Sequence, residues 1–297
     1  MYSITFLLTA ASAFAATGMA NFTENVNGYT FTHWGPTNEA SKFDYELNMA
    51  QSAVTLLKER LGADGYNLTV PQTKNDLPAA LAKLHTTKAN LGPSGLEALL
   101  QPDIADANTF WHNIIATPKG TWKPTKAQCV SYIPSLSAFA FGGWATSPAA
   151  DAANDDANPE HYVKQTSTGS DGKPQSTVLE GWGGVRTFFD IQDFSTPDRT
   201  KYPFLEQLPD FPIQAAGPKV LKDGTGVTFG VLHIAVKDVD DAKYGKGFEV
   251  YSAVWYQDSM PEDHIEAESE HMVNEIINLS IAASKASGGS ARRFRSF

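Results

Sequence analysis

The sequence predicts an α+β fold: an N-terminal strand and helical block, then an antiparallel curved sheet, with a long C-terminal helix packed on the sheet. Three observations carry this expectation. Residues 38–61 place Phe43, Leu47, Ala50, Val54, Leu57 and Leu61 at alternating spacings of four and three, which is one apolar face of a helix. Beyond residue 127 the texture changes to apolar, β-branched and aromatic runs bounded by Gly, Pro, Asn and Asp clusters. The last of these runs, 247–256, passes through a turn at 257–261 into a helix with Ile265, Met272, Ile276, Leu279 and Ala283 on one face.

Taken in order, residues 27–34 read as a strand closed by Gly35 and Pro36. The helix of 38–61 has a capping arrangement at Ser41 and Asp44 and a stop at Gly62. Two or three shorter helices follow between residues 76 and 115, with Asp76 as a cap and Pro78, Pro93 and Pro102 in first turns. Residues 38–115 thus form a helical block that needs a second layer to bury its stripes. After a Pro- and Lys-rich link at 118–124, strands are expected at 128–141, 161–168, 176–190, 227–236 and 247–256. The acidic, small-residue run 148–159 reads as a solvated loop, its Asp151, Asp155 and Asp156 exposed rather than ligating. Residues 285–297 read as a flexible, linker-like and basic tail. A single domain of 21–284 is expected, with 127–284 supplying the sheet and final helix. This order of elements resembles that of helix-grip and cone-shaped ligand-binding folds, and the resemblance implies an apolar cavity under the helix.

With 297 residues, 42% of them hydrophobic, the chain can bury a large core. Its formal charge of -10 excludes a phosphate-backbone partner, which clustered Lys and Arg would have to neutralise. Residues 1–20 read as a signal peptide, because an uncharged apolar run is followed by small residues at Ala13 and Ala15 and again at Gly18 and Ala20. Glycosylation sequons at Asn21, Asn67 and Asn278 agree with an extracellular destination, and no transmembrane segment is expected. The single cysteine, Cys129, lies in an apolar run and reads as a buried hydrophobe.

Candidate chemistry falls on strands. Straight alternation through 182–191 puts Trp182, Arg186, Phe188 and Asp190 on one face, a mixture suited to a ligand cavity, and Val185, Thr187, Phe189 and Ile191 on the other. His233 interrupts an apolar strand and shares a face with Val227, Phe229 and Val231; with Asp190 as orienting carboxylate and Arg186 beside it, it would make a general base. Trp182, Phe188, Phe229, His33 and His112 are the candidate ligand-binding residues. On the last helix, His264, Glu268, His271 and Glu275 form a polar stripe read as a solvated face, so no metal is expected. No phosphate loop, dinucleotide fingerprint, nucleophile elbow or zincin motif occurs, so no cofactor is expected. The leading expectation is a secreted glycoprotein that binds a small hydrophobic molecule between sheet and helices. The alternatives are a cyclase, isomerase or dehydratase using the His–Asp pair, and a secreted interaction protein without catalysis.

Overall fold

The structure is a computed structural model that describes residues 20–35, 40–65, 67–117, 120–169 and 172–293. The expected signal peptide, apart from its last residue, lies outside the described residues. Among the described residues, nine antiparallel strands form one sheet: β1 (Ala20–Val26), β2 (Tyr29–Gly35), β3 (Trp122–Tyr132), β4 (His161–Thr168), β5 (Pro174–Trp182), β6 (Val185–Ile191), β7 (Ile213–Leu221), β8 (Thr228–Asp241) and β9 (Gly245–Gln257), in the spatial order β1-β2-β3-β9-β8-β7-β6-β5-β4. The helices are α1 (Lys42–Leu61), α2 (Leu77–Leu99), α3 (Gln101–Ala116), α4 (Ala138–Ala145), α5 (Asp151–Ala157) and α6 (Glu262–Arg293). The sheet curves around α6, which lies against β2, β3 and β5 on its inner face.

Each helix begins where its sequence allows. Ser41 and Asp44 form the expected capping box on α1, and the Gly62 N–H returns to the Lys58 carbonyl at its end. The buried stripe of α1 is turned slightly from the expected one, since Tyr45, Met49, Ala53 and Leu56 join Ala50, Val54 and Leu57 inside. Gly92 and Pro93 kink α2, because Gly92 takes non-helical angles and Pro93 removes a backbone donor. The run expected to be a strand over 128–141 divides instead: β3 ends at Tyr132, and Ser137 caps α4 by accepting the Ala140 N–H at 3.2 Å. The acidic run expected to be a loop holds α5. Asp151 accepts from the Thr166 N–H and hydroxyl at 2.7 and 2.6 Å, while Asn154 and Asn158 turn inward. The final helix runs nine residues past the expected end at Ser284, through the segment read as linker.

Three apolar clusters hold these layers. The largest joins the inner sheet face to α1, α3, α4 and α6. A second packs α1, α2 and α3 on the outer face of β4–β6, around Tyr162, Leu179 and Phe188. A third lies on the outer face of β8 and β9, where Val231, Ala235 and Tyr251 are covered by Leu205 and Phe211 of the irregular 192–212 segment. Cys129 is fully buried, as expected, and burial raises its thiol pKa.

Candidate functional site

Between the inner face of the sheet and α6 lies a cavity of about 550 Å³. Leu232, Ile234, Val236 and Val250 line it from the sheet, Met272, Ile276 and Leu279 from the helix, and Phe141 from α4. Period-two alternation in β8 and β9 and the i, i+3, i+4 repeat of α6 aim these side chains at one volume. Phe139 of α4 is 79% exposed and lies at the edge of the cavity.

The floor of this apolar space is charged. Lys219, Glu180, Glu268 and His271 reach it from β7, β5 and α6. The Lys219 ammonium is buried, 3.3 Å from Glu180 Oε1 and 3.5 Å from Glu268 Oε1, and it lies over the rings of Trp182 (4.4 Å) and Phe189 (4.5 Å). Burial raises the Glu268 carboxyl to about 7, with Lys219 opposing the shift. For Glu180 burial acts upward, but Lys219 and the two neighbouring histidines outweigh it and hold the group below the usual carboxylate range. Tyr256 donates its hydroxyl to Glu268 Oε1 at 3.0 Å, and burial pushes that phenol well up. His264 is lowered to about 4 and His271 to about 3, in both cases mainly by burial, so both imidazoles are neutral at pH 7.

His161, Glu180 and His271 are the group that could hold a metal among the described residues. His161 and Glu180 face one another directly across the β4–β5 ladder, so their side chains share the inner face. The start of β4 is fixed from behind by Lys88 of α2, whose buried ammonium donates to the carbonyls of Pro159 (3.2 Å) and His161 (2.5 Å). Burial lowers Lys88 to about 8.

The expected catalytic set does not assemble. Asp190 pairs with Val220 across β7 and His233 with Ala216, four residues along the same strand and about 13 Å away. His233 is buried on the outer face, where its Nε2 is 3.3 Å from Gln214 Oε1 and its ring meets Tyr251 edge-on. Asp190 instead accepts from Thr177 at 2.7 Å and Lys222 at 3.3 Å. Arg186 donates to Ser52 of α1 at 2.7 Å and lies 3.4 Å from Glu160, which ties β6 to the helices outside the sheet.

Two local departures from straight alternation part Trp182 and Phe229 from the residues expected to share their faces. Gly183 and Gly184 form a tight turn with φ of 54° and 81°, so Trp182 pairs with Val185 and faces inward with it, not with Arg186. Gly183 is required there, because a Cβ would come 2.7 Å from His264 Nδ1. In β8 the register with β7 slips between Lys219 and Val220, leaving Phe229 as the extra residue. Phe229 consequently packs inward on Trp111 and Tyr256, while Val231 and His233 face out. The face of Thr187, Phe189 and Ile191, opposite the one expected to suit a ligand cavity, is the one that meets the cavity and its aromatic floor.

Of the expected ligand-binding residues, Trp182 and Phe229 form the aromatic shell behind Lys219. Phe188 packs in the outer cluster with Lys222 over its ring at 5.4 Å. His33 is held by Glu24 on β1 at 2.9 Å, and His112 by Asp223 at 2.7 Å, both outside the cavity lining. Asn67 is exposed, whereas Asn278 directs its amide at Ala157 O (2.8 Å) and Glu46 (3.1 Å), contacts a glycan would displace. The side chain of Asn21 lies outside the described residues. The stripe read as solvated is buried in its first three members, with His264, Glu268 and His271 at 4%, 2% and 2% exposure. His161 and Glu180 are not singled out by sequence, because each is one polar residue among several on its strand, HYVKQTST and PQSTVLEGW.

No family model matches the chain, and no curated protein sequence does. A solved structure titled "Crystal structure of Ara h 8.0201" is similar at 15% identity with a TM-score of 0.32, covering 54% of this chain and 99% of that one.

Proposed function

We propose that this protein binds a small hydrophobic molecule in the cavity between the curved sheet and α6, with a polar end of that molecule directed at Lys219 and Glu268. The observation that carries the reading is the cavity itself. Its volume of about 550 Å³ falls in the range of small-molecule sites, and its apolar walls close on a small set of convergent polar groups. The apolar run at the start of the chain and the sequons at Asn21 and Asn67 support a secreted glycoprotein as its setting. No described helix is long and apolar enough to cross a membrane. The cyclase, isomerase or dehydratase reading loses its base and orienter, since His233 and Asp190 do not meet.

A titration with an environment-sensitive apolar dye tests the reading. Wild-type protein is expected to give saturable one-to-one binding, and Leu232→Trp, which fills the cavity from the β8 side, is expected to abolish it while the fold is kept. Absence of saturable binding, or equal binding by folded Leu232→Trp, would sink the proposal.

A further inference from the structure

We propose that His161, His271 and Glu180 form a binding site for one divalent first-row transition-metal ion, set in the floor of the cavity with its free coordination positions facing the cavity. Three atoms carry this: Nε2 of His161, Nε2 of His271 and Oε2 of Glu180. They are separated by 2.8, 3.5 and 4.0 Å, and the point equidistant from all three lies about 2.0 Å from each, the bond length of zinc to imidazole nitrogen and carboxylate oxygen.

The surroundings select this use of the atoms. His161 directs Nδ1 at the Asn154 carbonyl at 2.6 Å, which places the proton on Nδ1 and the lone pair on Nε2. Glu180 turns its other oxygen, Oε1, toward Lys219, leaving Oε2 for the histidines. The backbone carbonyl and the lysine are thus the outer partners that orient metal ligands and fix their tautomers. Both histidines are 2% exposed, and the His271 Nε2–H donates to the His161 Nε2 lone pair at 2.8 Å, a proton that a bound ion would displace. A purely hydrogen-bonded triad would bring the carboxylate to about 2.8 Å from an imidazole N–H. Here it stands off at 3.5 and 4.0 Å, the spread that a central ion fills.

Two imidazoles and one carboxylate favour zinc or a neighbouring transition ion over magnesium or calcium, which take oxygen ligands. Three protein ligands leave at least one position open. Glu180 and His271 line the cavity, so that position faces it. The inference does not depend on what else the cavity holds.

The test uses full-length protein stripped with chelator and titrated with Zn²⁺, followed by calorimetry and by X-ray absorption of the loaded protein. One equivalent is expected to bind, with two imidazole nitrogens in a shell at about 2.0 Å. His271→Gln and Glu180→Gln are each expected to weaken binding at least ~100-fold. His85→Gln, at an exposed imidazole of α2 that is not one of the three ligands, is expected to leave it unchanged. A folded wild type without saturable binding, an absorption shell of oxygens alone, or undiminished binding by folded Glu180→Gln overturns the inference. Because the absorption spectrum is taken on wild type, the test decides even where a variant fails to fold.

Discussion

Replacing Lys219 by Met tests whether the charged floor is held as a unit. The Lys219 side chain is 3% exposed, and its ammonium is the cation placed between Glu180 and Glu268, at 3.3 and 3.5 Å. Methionine keeps most of the stem's packing against Trp182 and Phe189 but removes the charge. Taking one partner from a buried ion pair costs about 3–5 kcal/mol, because the remaining charge is left without compensation. Two carboxylates are affected here, but Glu268, raised to about 7 by burial, accepts a proton readily, so only Glu180 stays stranded. The expected loss is therefore at the low end, about 3 kcal/mol, read from urea unfolding at pH 7.5. The double variant Lys219→Met/Glu180→Gln is expected to recover more than half of it, since the stranded charge is gone. A loss below about 1 kcal/mol for Lys219→Met, or no recovery in the double variant, would refute the shared-cation account.

Other outcomes follow from the same structure. His233, lowered to about 4 by burial and by Arg199, with Glu206 opposing, should remain neutral in the folded protein while the unfolded chain takes up a proton below about 6.5. Stability is then fully present above pH 6.5 and falls as pH drops toward 4, by at most about 3 kcal/mol; in His233→Gln, unfolding midpoints measured across that window should show a correspondingly flatter decline. Gly183→Ala should cost about 2 kcal/mol or more in urea unfolding, since it sets a Cβ at φ 54° and against the His264 ring; a cost under 0.5 kcal/mol would show that the turn relaxes freely.

Much of the fold is legible in the sequence where local signals and tertiary packing agree. The four-three repeat and cap of α1, and the passage from β9 through Pro261 into α6, read directly because periodicity and punctuation point the same way. Strand β7 is hidden because Gly217 and Pro218 in its middle resemble a turn. Both are tertiary requirements. A Cβ on Gly217 would meet the Gln192 carbonyl at 2.4 Å. The Pro218 carbonyl accepts from Gln192 N at 3.1 Å, so the missing N–H points to the side where β6 has already left the ladder at Ile191. With β7 hidden, Lys219 could not be placed.

The site was half legible for a related reason. The stripe of His264, Glu268, His271 and Glu275 is visible in the heptad-like spacing, but its burial depends on the partners that neutralise it, and those lie more than 40 residues away on β4, β5 and β7. Sequence periodicity shows that the residues share a face and says nothing about whether a buried lysine awaits them. The pairing of His233 with Asp190 failed because the two stand opposite positions four residues apart on β7, a register that alternation along each strand does not carry.

Methyl-resolved NMR during titration with an apolar ligand tests the central claim most directly, that the space between sheet and α6 is the binding site. Shifts are expected at the inner-face methyls of Leu232, Ile234, Val250 and Ile276, with those of Val231 and Leu205 on the outer face unmoved. Shifts centred on Val231 and Leu205, or none at saturating ligand, would contradict it.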